Sequence, residues 1–306
     1  MNRGKLIAIL FFFILIAFGI VYFQFRFYRT PIASTQNQAV LVSGGPLKDG
    51  IPSIDKPKFE SVSVADQYLD DKGYGLVVTL NGKQRYYPYQ ILVWHEVVND
   101  VFGKTPLVIT YCSLCFSGSA YERTINGVVS EFGVSGKLID NYPVLYNKQT
   151  KELLTPPFEN QFTPFLSLVT TWENFKSNFP NGQVLSRETG FTRDYTAFPY
   201  KNYDTNNAVL FPVSHQDDRL PVKTVVFGYV NDKAQKAYPL DLIKTAGIVN
   251  DVVGNEEIEI YWDAKLETVR GLTKQNGKEV PIILRSSYWF SWATMYPETE
   301  LIVGSE

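Results

Sequence analysis

Tyr87-Pro88-Tyr89-Gln90-Ile91-Leu92 returns 151 residues further on as Tyr238-Pro239-Leu240-Asp241-Leu242-Ile243. The same offset carries Val97-Val98-Asn99-Asp100-Val101-Phe102-Gly103 onto Ile248-Val249-Asn250-Asp251-Val252-Val253-Gly254. It also carries Leu107-Val108-Ile109-Thr110-Tyr111 onto Ile258-Glu259-Ile260-Tyr261-Trp262. At a shorter offset, Thr170-Thr171-Trp172-Glu173-Asn174-Phe175 and Phe179-Pro180 are echoed by Ser287-Tyr288-Trp289-Phe290-Ser291-Trp292 and Tyr296-Pro297. Separate blocks held at one offset are the signature of a duplicated unit. The copies span about 73–186 and 224–303, joined by 187–223.

Each copy reads the same way. Leu76-Val77-Val78-Thr79-Leu80 and Arg85-Tyr86-Tyr87 flank Asn81-Gly82, the strongest short hairpin signal. Tyr-Pro then opens a short helix, since proline is tolerated in a first helical turn. Asn-Asp and Gly punctuate further strands, and a closing helix from Trp172, or from Trp289, stops before proline. The expected class is α+β, a β-rich module present as two pseudo-repeats, with mixed sheets and few short helices.

Outward from that module, 45% hydrophobic and 15% aromatic residues describe a folded chain with β-favouring side chains. A net charge of −2 supplies no basic footprint, which excludes a general nucleic-acid binder. Residues 6–23 (LIAILFFFILIAFGIVYF) carry no charge. As a helix they would extend roughly 27 Å, enough for a hydrocarbon core. The flank Phe23-Gln24-Phe25-Arg26-Phe27-Tyr28-Arg29 is bulky and basic, unlike a small-residue cleavage site. Residues 1–29 are therefore expected to be one uncleaved N-terminal transmembrane anchor. The Pro-, Gly- and Ser-rich 30–58 reads as a flexible tether, and 59–306 as the folded domain, placed outside the cytoplasm. The partners implied are a membrane and a small molecule or protein of unspecified identity.

Tyr111-Cys112-Ser113-Leu114-Cys115 holds both cysteines of the chain, and His95 in Trp94-His95-Glu96 is one of two histidines. At the repeat offset, Cys112, Cys115 and His95 correspond to Asp263, Leu266 and Ala246, so the module folds without these three. Three chemistries fit. Two thiolates and an imidazole suit Zn²⁺ or a soft ion such as copper, with His215 or Asp100 as fourth ligand. A C-x-x-C pair also suits thiol–disulfide exchange, in which Cys112 and Cys115 would be the redox pair, although this one ends a strand and does not start a helix. The third reading is a local structural disulfide, with His95 a packing residue, in a non-enzymatic binding or scaffold domain. No G-x-S-x-G, H-E-x-x-H, phosphate loop or C-x-x-C-H is present. In the connecting segment Arg193, Asp194, Asp217 and Arg219 read as ion pairs pinning a loop, with a ligand-loop role as the alternative. Trp94, Trp172, Trp289 and Trp292 read as core.

The run WHEVVNDVFGKTPLVITYCSLCFSGSAYER (Trp94 to Arg123), with FGVSGKL, TGFTRDY, PYKNY, DDRLP and AYPL, resembles the DUF3179 family of bacterial and archaeal proteins of unknown function. The resemblance runs from about residue 60 onward and singles out Cys112 and Cys115 in the YC-x-LC core. One departure is that Glu152-Leu153-Leu154-Thr155-Pro156 stands where the family pattern has a Trp-Ser-Gln-like element. The resemblance implies domain limits and no activity.

Overall fold

A computed structural model describes residues 39–200 and 202–302. The Asn81-Gly82 signal forms a two-residue hairpin: Asn81 and Gly82 both take positive φ (50° and 73°), joining Tyr74–Leu80 to Lys83–Pro88 with Leu80 opposite Lys83. These strands belong to a five-stranded sheet ordered Ser167–Thr171, Tyr74–Leu80, Lys83–Pro88, Gln183–Leu185, Phe59–Ser61. Within it Gln183–Leu185 runs parallel to Lys83–Pro88. The chain's second half contains the same arrangement: Arg285–Tyr288, Val225–Val230, Gln235–Pro239, Glu300–Leu301, again with the last strand parallel to its neighbour.

A second type of sheet also occurs in both halves. Val97–Phe102, Thr105–Cys112, Ser117–Glu122 and Thr163–Phe165 form one; Ile248–Val253, Glu256–Asp263, Thr268–Gln275 and Lys278–Pro281 form the other. Among the described residues the first half carries two further sheets, one from Leu41–Ser43, Phe132–Ile139, Tyr142–Asn147 and Leu153–Leu154, and a small one from Thr124–Ile125 and Val128–Val129.

A polar knot ties each hairpin to the sheet beside it. Arg85 lies 2.6 Å from buried Asp100, which also accepts the Tyr87 hydroxyl at 2.6 Å. Lys236, Asp251 and Tyr238 repeat this arrangement at the 151-residue offset, both contacts being 2.8 Å. Asp100 is thereby committed to an ion pair and is not available as a metal ligand. The closing helices Trp172–Asn178 and Trp289–Met295 press Trp172, Phe175, Trp289 and Trp292 into the core. At one point a glycine is obligatory: a Cβ on Gly228 would lie 2.0 Å from the Trp292 ring.

Two expectations are corrected. The class is β-rich with several small sheets, not α+β: strands take 43% of the described residues and helices 12%. Each Tyr-Pro start propagates briefly, over Tyr89–Leu92 or Leu240–Ala246, the latter ended by Gly247 at φ 73°. Such helices are too short to form a layer of their own. Among the described residues no helix is long and apolar enough to cross a membrane, and 6–23 lies outside them. The stretch expected as a tether is built into the fold from Leu41 onward. Leu41–Ser43 pairs with Phe132–Ile139, and buried Ile54 bridges to Val98.

Candidate functional site

Cys112 ends its strand opposite Ser117, and the turn between them is closed by a Cys112–Cys115 disulfide with Cα atoms 5.2 Å apart. Both cysteines are buried. Three successive carbonyls of this turn are taken by groups from elsewhere in the chain. Leu114 accepts from the Tyr203 hydroxyl (2.9 Å), Cys115 from the Tyr288 amide (2.8 Å), and Phe116 from the Ser286 hydroxyl (3.2 Å). The turn is thus where the first half grips the connecting segment and the second half.

The equivalent turn of the second half grips back. Asp263 stands in place of Cys112; its Oδ1 accepts the amides of Lys265 and Leu266 at 3.1 Å, and Arg270 sits 3.2 Å from Oδ2. From this turn the Leu266 carbonyl accepts the Thr170 hydroxyl, and the Lys265 carbonyl accepts Asn178 Nδ2 at 2.9 Å. Just beyond, Thr268 Oγ1 donates to the Val169 carbonyl at 2.5 Å. A covalent staple in one half and a carboxylate cap in the other hold two reciprocal clasps.

The candidate metal set does not converge. The sulfurs are bonded to each other, and the two His95 ring nitrogens meet the Pro52 carbonyl and the Tyr195 hydroxyl, both at 2.7 Å. Nδ1 must donate to the carbonyl, so Nε2 accepts from Tyr195. Burial pushes His95 down to about 4, partly opposed by the Pro52 carbonyl and reinforced by Arg193, which keeps the ring neutral. Among the described residues no group of three His, Cys, Asp or Glu side chains is arranged to hold a metal. The backbone carbonyl of His215 accepts from Thr294 (3.0 Å).

The connecting segment lies over His95, with the Phe191 ring 5.6 Å from the imidazole. Asp217 and Arg219 form an ion pair at 2.6 Å, and Arg219 also reaches the Thr299 carbonyl. Asp194 instead caps the Thr196 amide and hydroxyl, while Arg193 donates to the Thr192 carbonyl.

What the clasps enclose is a cleft of about 970 Å³. Its walls come in offset-related pairs from the two halves: Tyr74 with Val225, Tyr89 with Leu240, Tyr111 with Trp262, and Thr171 with Tyr288. Tyr89 stacks on Tyr111 with centroids 4.0 Å apart, and Phe116, the residue after the disulfide, stacks on Tyr288 at 5.5 Å. Tyr74 meets Phe116 edge-on at 5.4 Å. Phe116 holds this place with φ 53°, a conformation costly for a bulky residue and enforced by the closed turn. The Tyr89 hydroxyl is buried and has no hydrogen-bond partner among the described residues. Burial raises the phenols of Tyr89, Tyr111 and Tyr288, so they stay protonated at neutral pH.

Reading the chain alone passes over these walls, because aromatic residues in a β-rich chain are ordinarily core. The usable signal is in the repeat: Tyr89 and Tyr111, both ahead of the cysteines, differ from their counterparts Leu240 and Trp262. Glu96, buried at a positive φ of 58° beside His95, carries no local sequence signal of that burial.

A family model described as "Protein of unknown function (DUF3179)" matches residues 48–284. No curated protein and no solved structure matches the chain.

Proposed function

The chain belongs to the DUF3179 family, and from that premise we propose that it is a non-enzymatic binding protein whose ligand seats in the cleft between its matched halves. The observation carrying this reading is the cleft itself, about 970 Å³ and lined with aromatic rings from both halves. That volume is near the upper end for small-ligand sites, which are mostly apolar with a few polar groups fixing orientation. Cys112–Cys115 then serves as a structural staple: it fixes the turn that presents Phe116 to the cleft. Buried sulfurs favour this over exchange chemistry, because an attacking thiolate must reach one of them in line. The disulfide in turn supports an oxidising compartment, and the uncharged run 6–23 supports attachment to a membrane.

The test is ligand screening of the full chain by thermal shift, using neutral glycans, peptides, amines and anions, with Trp262→Ala and Tyr74→Ala as controls. At least one class is expected to raise the melting temperature of the native chain, with the shift lost in both variants. Two results oppose the proposal. One is stoichiometric Zn²⁺ or copper binding lost in Cys112→Ser; the other is a Cys112–Cys115 pair that equilibrates with glutathione within minutes while the protein stays folded.

A further inference from the structure

Resting on the reading of the cleft as a binding site, we infer that its ligand is a neutral oligosaccharide, held by ring faces and by uncharged hydrogen-bonding groups. The lining balances three carboxylates (Asp70, Asp204, Glu267) against three amines (Lys72, Lys223, Lys244) and contains no arginine. A lining with equal numbers of the two signs has no single-sign excess to draw in an ion, and an ionic ligand would have to leave water for a site that also holds charges of its own sign. Several of these charges are already committed. Lys223 donates to the Tyr203 carbonyl and lies over the Tyr203 ring, Lys244 sits 4.8 Å from the Trp262 ring, and Glu267 accepts from Asn174.

The rings set the shape of what fits. Tyr74, exposed, and Trp262, half-buried, line the cleft from different halves, together with the stacked and buried Tyr89–Tyr111 pair. Apolar faces beside polar edges match a pyranose, which has C–H groups on its faces and hydroxyls around its rim. Gln67, Gln90 and Thr196 line the same cleft and supply neutral donors and acceptors for such hydroxyls. A cleft of this volume takes an oligomer more naturally than a single sugar.

Competing classes fit less well. An extended peptide binds by adding a strand to an open sheet edge. Here the two edge strands that contribute Thr171 and Tyr288 to the cleft, Ser167–Thr171 and Arg285–Tyr288, are covered by the reciprocal clasps. A phosphate calls for a net-positive site built from arginine forks, lysines or a backbone nest, whereas the three lysines here are matched by three carboxylates. A quaternary ammonium suits an aromatic cage with excess negative charge, which the three amines cancel.

The experiment is calorimetric titration of the full chain with cellohexaose, maltohexaose and chitohexaose at low and high NaCl, alongside choline, a heparin hexasaccharide and a tyrosine-rich peptide. At least one neutral hexasaccharide is expected to bind saturably, with Kd changing less than twofold between the salt concentrations. Trp262→Ala and Tyr74→Ala should each weaken it at least tenfold, while Trp262→Phe retains most of the affinity and unchanged melting shows each variant folded. Binding confined to choline, heparin or peptide, and lost in Trp262→Ala, overturns the saccharide assignment and leaves the binding-protein reading standing. No binding by any probe, with thermal screening equally silent, overturns both.

Discussion

Glu96 sits in the left-handed region (φ 58°), buried, its amide bonded to the Leu92 carbonyl and its own carbonyl accepting the Tyr111 amide. Those two bonds join the short helix to the cysteine strand and impose the conformation, and they carry the carboxyl out of water. Burial pushes Glu96 up to about 8, while its neighbour His95 is pushed down to about 4 for the same reason. The two act on stability in opposite directions. For His95 the unfolded chain binds the extra proton between about 4 and 6.5, so stability rises with pH across that window. For Glu96 the folded chain binds it between about 4.5 and 8, so its contribution is full below 4.5 and is lost as pH rises through 8. Above pH 6.5 only Glu96 remains. Stability should therefore fall by about 2 kcal/mol between pH 6.5 and pH 8, from about 1.4 kcal/mol per pH unit. Glu96→Gln, which keeps the shape without the charge, should be flat over the same range. Urea unfolding at the two pH values measures this; parallel curves for the two proteins would rule the assignment out.

At the scale of elements, two turns that correspond by sequence are closed by different chemistry and do the same work. The 112–116 turn uses a disulfide, the 263–267 turn uses the Asp263 carboxylate, and each offers carbonyls to the opposite half. A loop this short gains little from cross-linking: chain entropy gives about 2 kcal/mol for four residues. Cys112→Ser/Cys115→Ser should therefore fold and melt several degrees lower, and Asp263→Ala should cost a comparable amount through two lost amide bonds and the Arg270 partner. Scanning calorimetry with and without dithiothreitol reads both; a double-serine variant that melts like the native chain would remove the staple role. The repeat blocks, the Asn81-Gly82 hairpin and the closing helices were legible in the sequence because each rests on local turn chemistry or a short apolar period. The clasps were not. Thr170 meeting Leu266, or Ser286 meeting Phe116, depends on how two halves pack, and no local pattern encodes that. The cysteines stand out as rare residues, yet the cleft beside them is walled by Tyr, Phe and Trp, side chains that a β-rich chain also uses throughout its core.

For the whole molecule, the matched halves behave as partners that happen to share one chain. Each supplies a turn that covers the other's edge strand, and the cysteine turn packs in one apolar cluster with Tyr203, Tyr288 and Phe290. An uncovered edge carries unpaired backbone groups, and an uncovered Phe116–Tyr288 stack carries apolar area, so neither half is complete alone. The described residues form a single compact unit. It follows that the unit should unfold in one step, with calorimetric and van't Hoff enthalpies agreeing. It also follows that residues 224–303 expressed alone should fail to form a stable core. That piece retains the Val225–Val230 hairpin but loses Thr170, Val169 and Asn178, which secure its 263–268 turn, and the cysteine turn that secures its Arg285–Tyr288 edge. A collapsed, poorly dispersed amide spectrum for the isolated piece is the expected outcome. Two separate thermal transitions in the full chain, or a well-dispersed spectrum from 224–303, would show that each half stands alone and that the clasps merely tether them.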